Sequence, residues 1–79
     1  MKVREHKKVA DYLKSRQIVK PYLKAKHYIE EGLYEVVDLR KREPKKQNKF
    51  YFRITKKYRA FGYINDKHEL IVTDISDHQ

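Results

Sequence analysis

The sequence predicts one α+β domain over residues 1–79, a helical hairpin packed on one face of a four-stranded antiparallel sheet. Three observations predict it. Apolar residues recur at three- and four-residue steps as far as Gly32. Beyond that glycine the period becomes two, which is the spacing of a strand with one buried face. The strand-like runs are then joined by short polar turns, so neighbours pair antiparallel and the helices cover one sheet face.

The elements follow in order. A first helix over about 3–14 carries Val9, Tyr12 and Leu13 at helical spacing, with charges elsewhere; Met1–Val3 is too short to argue as a strand. A second helix over about 17–31 repeats the stripe with Ile18, Tyr22, Ala25 and Ile29. Pro21 falls in its first turn, where a missing N–H costs nothing, and Gly32 supplies the stop. Strands are expected over about 33–39, 49–55, 58–65 and 69–76, from β-branched and aromatic runs with alternating polarity. The charged stretch "RKREPKKQN" connects the first two, and Lys56–Lys57 turns the second into the third. The expected core is Val9, Leu13, Ile18, Ile29, Phe50, Phe52 and Ile54.

Composition narrows the partners. Twenty Lys and Arg against eleven Asp and Glu leave a net charge of +9 on 79 residues. Such an excess points to nucleic acid, an anionic surface or an acidic protein. No apolar run approaches the roughly 20 residues of a membrane span, and "MKVREHKKVADYL" lacks the apolar stretch of a signal peptide. A cytoplasmic protein with no membrane partner is therefore expected. With no cysteine, neither a disulfide nor a cysteine zinc site is available. His6, His27, His68 and His78 have no clustered carboxylates at ligand spacing, so neither metal nor cofactor is expected. Seven of the ten aromatics are tyrosines, whose hydroxyls seek water or a partner, so a wet aromatic face is expected.

That face is found by parity in "KFYFRITKKYRAFGYIND". Phe50, Phe52 and Ile54 share one side and can meet the helices, while Tyr51 and Arg53 point away. Across the turn, Arg59, Phe61 and Tyr63 share a side. Paired as a hairpin, Tyr51, Arg53, Arg59 and Tyr63 line one surface. Arginine offers a planar fork for phosphate oxygens, and tyrosine rings offer stacking platforms for bases.

The same residues carry a family resemblance. "FRITKKYRAFGYI", followed by a last strand and a terminal "DHQ", resembles the RelE/ParE superfamily of bacterial toxins. The YoeB-like branch is the nearest in pattern: its hairpin reads Arg-Ile-Thr-x-x-[His/Tyr]-Arg-x-x-Tyr, and its chain stops just after a histidine. "DYL" and "RQIVK" resemble pieces of that branch's helices. The resemblance implies a type II toxin whose open sheet face docks on the ribosome and cleaves mRNA without metal, leaving a 2′,3′-cyclic phosphate. It implies a cognate antitoxin as partner, and a monomer or weak dimer. By position, Arg59 matches the family's transition-state arginine, His78 its proton-transferring histidine, and Glu43 its glutamate before a proline. Arg53 matches a basic residue of the same surface, and Lys45, Lys46, Lys49, Lys56 and Lys57 are expected on RNA phosphates. The chain departs from the pattern at Gln79, where an aromatic would stack on the cleaved base, at Asp77, and in a first strand reduced to Met1–Val3. Two other readings stay open: a non-catalytic RNA- or ribosome-binding module of the same fold, and a ParE-like gyrase inhibitor acting by protein contact.

Overall fold

The computed structural model describes residues 1–42 and 47–77. The chain runs β1 (Val3–Glu5), α1 (Lys7–Ser15), α2 (Val19–Glu30), a 3-10 turn (Tyr34–Val37), β2 (Arg40–Lys41), β3 (Lys49–Arg53), β4 (Tyr58–Ile64) and β5 (Leu70–Asp77). Among the described residues the sheet has five strands, in the order β1-β5-β4-β3-β2. It is mixed, because β1 pairs parallel with β5 while every other pairing is antiparallel. Among the described residues, no helix is long and apolar enough to cross a membrane.

The α+β class and the two helices agree with the sequence reading, but the sheet differs from it at two places. The first is the N-terminus. Val3 is buried between the sheet and α2, its N–H donating to Glu30 Oε2 (3.0 Å), and Leu70 N–H donates to the Lys2 carbonyl (2.8 Å). These contacts with residues far along the chain make residues 3–5 a strand, and α1 begins only at Lys7. The second is the run from Leu33 to Leu39, expected as a strand. Val37 is buried and Leu39 packs at the core margin, while Leu33 and Val36 are 50% and 51% exposed. With its first half left outside the core, the run closes a 3-10 turn, and the chain joins the sheet at Arg40.

Both helices end alike. Leu33 N–H bonds the Tyr28 carbonyl and Gly32 N–H the Ile29 carbonyl, with Gly32 at φ +80°, which closes α2 as a Schellman motif. At the end of α1, Ile18 N–H bonds the Leu13 carbonyl and Gln17 N–H the Lys14 carbonyl, with Gln17 at φ 58°. A glutamine there carries the steric cost that glycine escapes. Gln17→Gly is therefore expected to raise stability by about 0.5–1 kcal/mol in a urea titration.

The helices lay Val9, Leu13, Tyr22, Ala25 and Ile29 on Phe52, Ala60, Leu70 and Val72 of the sheet. Ile18 is buried as expected, whereas Phe50 and Ile54 are half-buried at the core margin. Tyr22 sits near the centre at 1% exposure, its hydroxyl donating to Glu5 Oε1 (2.6 Å), to which Lys26 is also paired (3.3 Å). Burial and this bond push the phenol well above its ordinary range, so it stays a donor. Between Phe61 and Gly62 the β4–β5 register shifts by one residue. A Cβ on Gly62 would lie 2.8 Å from the Ile71 carbonyl carbon and 3.0 Å from Val72 Cα, so this close approach of β4 to β5 requires glycine.

Candidate nucleic-acid interface

Helices cover one sheet face, and the other is open. In β3 and β4 the pairs Arg53↔Arg59, Tyr51↔Phe61 and Lys49↔Tyr63 stand opposite one another, and in β2 Arg40 stands opposite Tyr51. Alternation sends Phe52 and Ala60 inward, so these paired residues share the open face. The four surface residues expected from parity, Tyr51, Arg53, Arg59 and Tyr63, are thus brought together, along with Lys49.

The side chains on this face form an ordered column. The Arg42 guanidinium lies over the Phe61 ring (4.9 Å to the centroid), Phe61 stacks on Tyr51 (5.9 Å, planes 26° apart), and the Arg59 guanidinium also lies over Tyr51 (5.7 Å). Each cation sits on the electron-rich face of a ring, which fixes its position while leaving N–H groups for a ligand. Tyr63 is 40% exposed beside the column.

Arg53 and Arg59 are like charges placed directly opposite, an arrangement that costs stability. One anion relieves it. Asp38 Oδ2 is 2.9 Å from Arg53 Nη2, and Asp38 Oδ1 is 3.9 Å from Arg40 Nη2. The 3-10 turn sets this carboxylate in place, with Asp38 in the left-handed region at φ 53°. Asp38, Arg40, Tyr51, Arg53 and Arg59 together line a cleft of about 200 Å³. Among the described residues no ion pair involves Arg59.

The two turn lysines diverge from this face. The Thr55 hydroxyl accepts the N–H groups of Lys57 and Tyr58 (3.1 Å each), which tightens the hairpin turn. Lys56 lines a second groove with Pro21, Lys24, Ala25 and Tyr28 of α2. Lys57 lies over the Tyr58 ring (5.5 Å) and pairs with Asp77 (3.7 Å), so that carboxylate is matched by a lysine. In register, Arg59 faces Ser76 and Tyr58 faces Asp77, so β5 ends beside the start of β4. Glu43, Lys45, Lys46 and His78 lie outside the described residues.

The sequence reading missed Arg40, Arg42 and Asp38. The signal for the arginines was the R-K-R alternation of Arg40–Arg42, which sends the two arginines to one face and Lys41 over the inward Phe50 ring (5.8 Å). A reading that takes the whole stretch as a charged connection conceals it. Asp38 left no signal, because its role depends on a turn in place of the expected strand. No protein-family model matches this chain, and no curated protein matches it. The chemistry of the face must therefore speak for itself.

Proposed function

We propose that the open sheet face binds RNA on the ribosome and that the chain is a bacterial toxin of RelE/ParE type, a metal-independent mRNA endonuclease. One observation carries this reading: Arg40, Arg42, Lys49, Arg53 and Arg59 share a single sheet face with Tyr51, Phe61 and Tyr63. Guanidinium forks suit phosphate oxygens, and exposed rings at strand spacing suit unpaired bases. The strand Val3–Glu5 ahead of the helical hairpin adds support, since the family's usual first strand is then present.

In the proposed reaction the ribose 2′-oxygen attacks the adjacent phosphorus while a base takes its proton. The bond from phosphorus to the 5′-oxygen breaks, and an acid protonates that oxygen. The products are a 2′,3′-cyclic phosphate and a free 5′-hydroxyl. Arg59 meets the charge that builds on the phosphorane, with its guanidinium held over Tyr51 and engaged by no described carboxylate. His78 is assigned the proton transfer to the leaving oxygen and Glu43 the base, both on the resemblance. A cognate antitoxin completes the proposal.

Expression in a bacterial cell tests this. Growth and translation should arrest, and the cut mRNA should carry a cyclic phosphate only when ribosomes are present. A second reading, a binding module without chemistry, is favoured by one feature: the single described carboxylate in the arginine cleft, Asp38, is tied to Arg53. Unimpaired growth together with ribosome binding would select that module.

A further inference from the structure

The arginine cleft holds three guanidinium side chains around one carboxylate. Arg53 and Arg40 both reach toward Asp38, at 2.9 and 3.9 Å, while Arg59 closes the cleft from its seat on Tyr51. Among the described residues, one negative charge among three positive ones leaves two unmatched. The Arg53–Asp38 pair is solvent-accessible, with side chains 46% and 41% exposed, so it is of the weak kind that another anion can displace. Asp38 is also held where it is by the backbone: it follows the 3-10 turn in a left-handed conformation, its N–H bonded to the Glu35 carbonyl (3.3 Å). The carboxylate therefore occupies the space between the forks as a fixed internal anion.

We propose that this cleft is a subsite for one phosphodiester group of RNA and that Asp38 is its built-in competitor, which the phosphate displaces from Arg53 and Arg40. The proposal rests on the RNA-binding reading above. A phosphodiester brings two non-bridging oxygens, which match the two-point geometry that Asp38 Oδ1 and Oδ2 already present to Arg40 and Arg53. Asp38 thereby sets a threshold. Isolated anions compete poorly with it, whereas a strand that also stacks bases on the ring column gains enough to evict it. The device weakens both ligands alike, so that only a strand with further contacts on the ring column binds at low concentration.

Asp38→Asn is the informative variant. Asparagine keeps the size of the side chain and accepts the left-handed backbone as readily as aspartate, so the turn is retained while the charge is lost. Inorganic phosphate and a short single-stranded oligouridylate serve as probes, followed through the Arg Nε–H signals by NMR and by RNA affinity across a salt series. The variant should bind both probes about 2–5-fold more tightly than wild type. Its plot of log affinity against log salt should steepen by at most about 0.7, because loss of the carboxylate raises by one the net positive charge that the bound phosphate meets. Equal or weaker binding of phosphate, in a variant that unfolds at the wild-type temperature, would overturn the subsite and leave Asp38 as a residue that merely positions Arg53. Tighter phosphate binding with no RNA binding by either protein would keep the subsite and overturn the RNA reading instead.

Discussion

Phe52→Ala is expected to lower the free energy of unfolding by about 3–5 kcal/mol in a urea titration. Phe52 is 1% exposed on the inward face of β3, with its ring 6.3 Å from that of Tyr22 in α2. Truncation removes the ring's transfer energy and opens a cavity where helix and sheet meet, and the small residues nearby, Ala25 and Ala60, cannot fill it. Domains of this length are held by roughly 4–12 kcal/mol, at about 0.05–0.15 kcal/mol per residue. The variant should therefore lose from about a quarter to the whole of that stability. A loss within about 0.5 kcal/mol, the size of a surface change, would invert the strand parity on which the whole open face depends.

Arg59→Ala should cut the rate of ribosome-dependent mRNA cleavage by about a hundredfold to a thousandfold, the usual cost of removing one donor to a developing oxyanion. Stability should change by no more than about 1 kcal/mol in either direction. Arg59 stands directly opposite Arg53, so its removal relieves a repulsion between like charges, while the contact of its guanidinium with the Tyr51 ring is lost. Single-turnover cleavage of a defined mRNA on programmed ribosomes, beside a urea titration of the same variant, checks both halves. Wild-type cleavage by a stably folded Arg59→Ala protein would remove Arg59 from the chemistry.

The parts legible in the sequence are those set by short-range rules. Alternation alone placed Phe52 inward and Tyr51 and Arg53 outward, and the short turn at Lys56–Lys57 was enough to bring Arg53 opposite Arg59. Gly32 marked the end of α2 because only a left-handed residue closes that cap cheaply. What escaped depended on distant partners. Val3–Glu5 becomes a strand only because Leu70–Val72 lies alongside it, and three residues carry no period of their own. "LYEVVDL" has the composition of a strand, yet the core takes in only its end, Val37 with Leu39 at the margin, so the run turns instead. That turn is what delivers Asp38 to the arginines, and β2, with Arg42 just after it, adds Arg40 and Arg42 to the face. The cations of the hairpin could be read locally; the anion that organises them could not.

The salt dependence of RNA binding tests the open face most directly. Five cations stand on it, Arg40, Arg42, Lys49, Arg53 and Arg59, and each phosphate contact with a single strand contributes about −0.7 to the slope of log affinity against log salt. Affinity for a single-stranded RNA, measured from low to physiological salt, should fall with a slope of roughly −2 to −3.5, corresponding to three to five contacts. Charge reversal at Arg53 should make that slope shallower, while reversal at Lys24, on α2, should matter less. A protein with no RNA affinity, or one whose binding to a protein partner such as gyrase is indifferent to salt, would contradict the account.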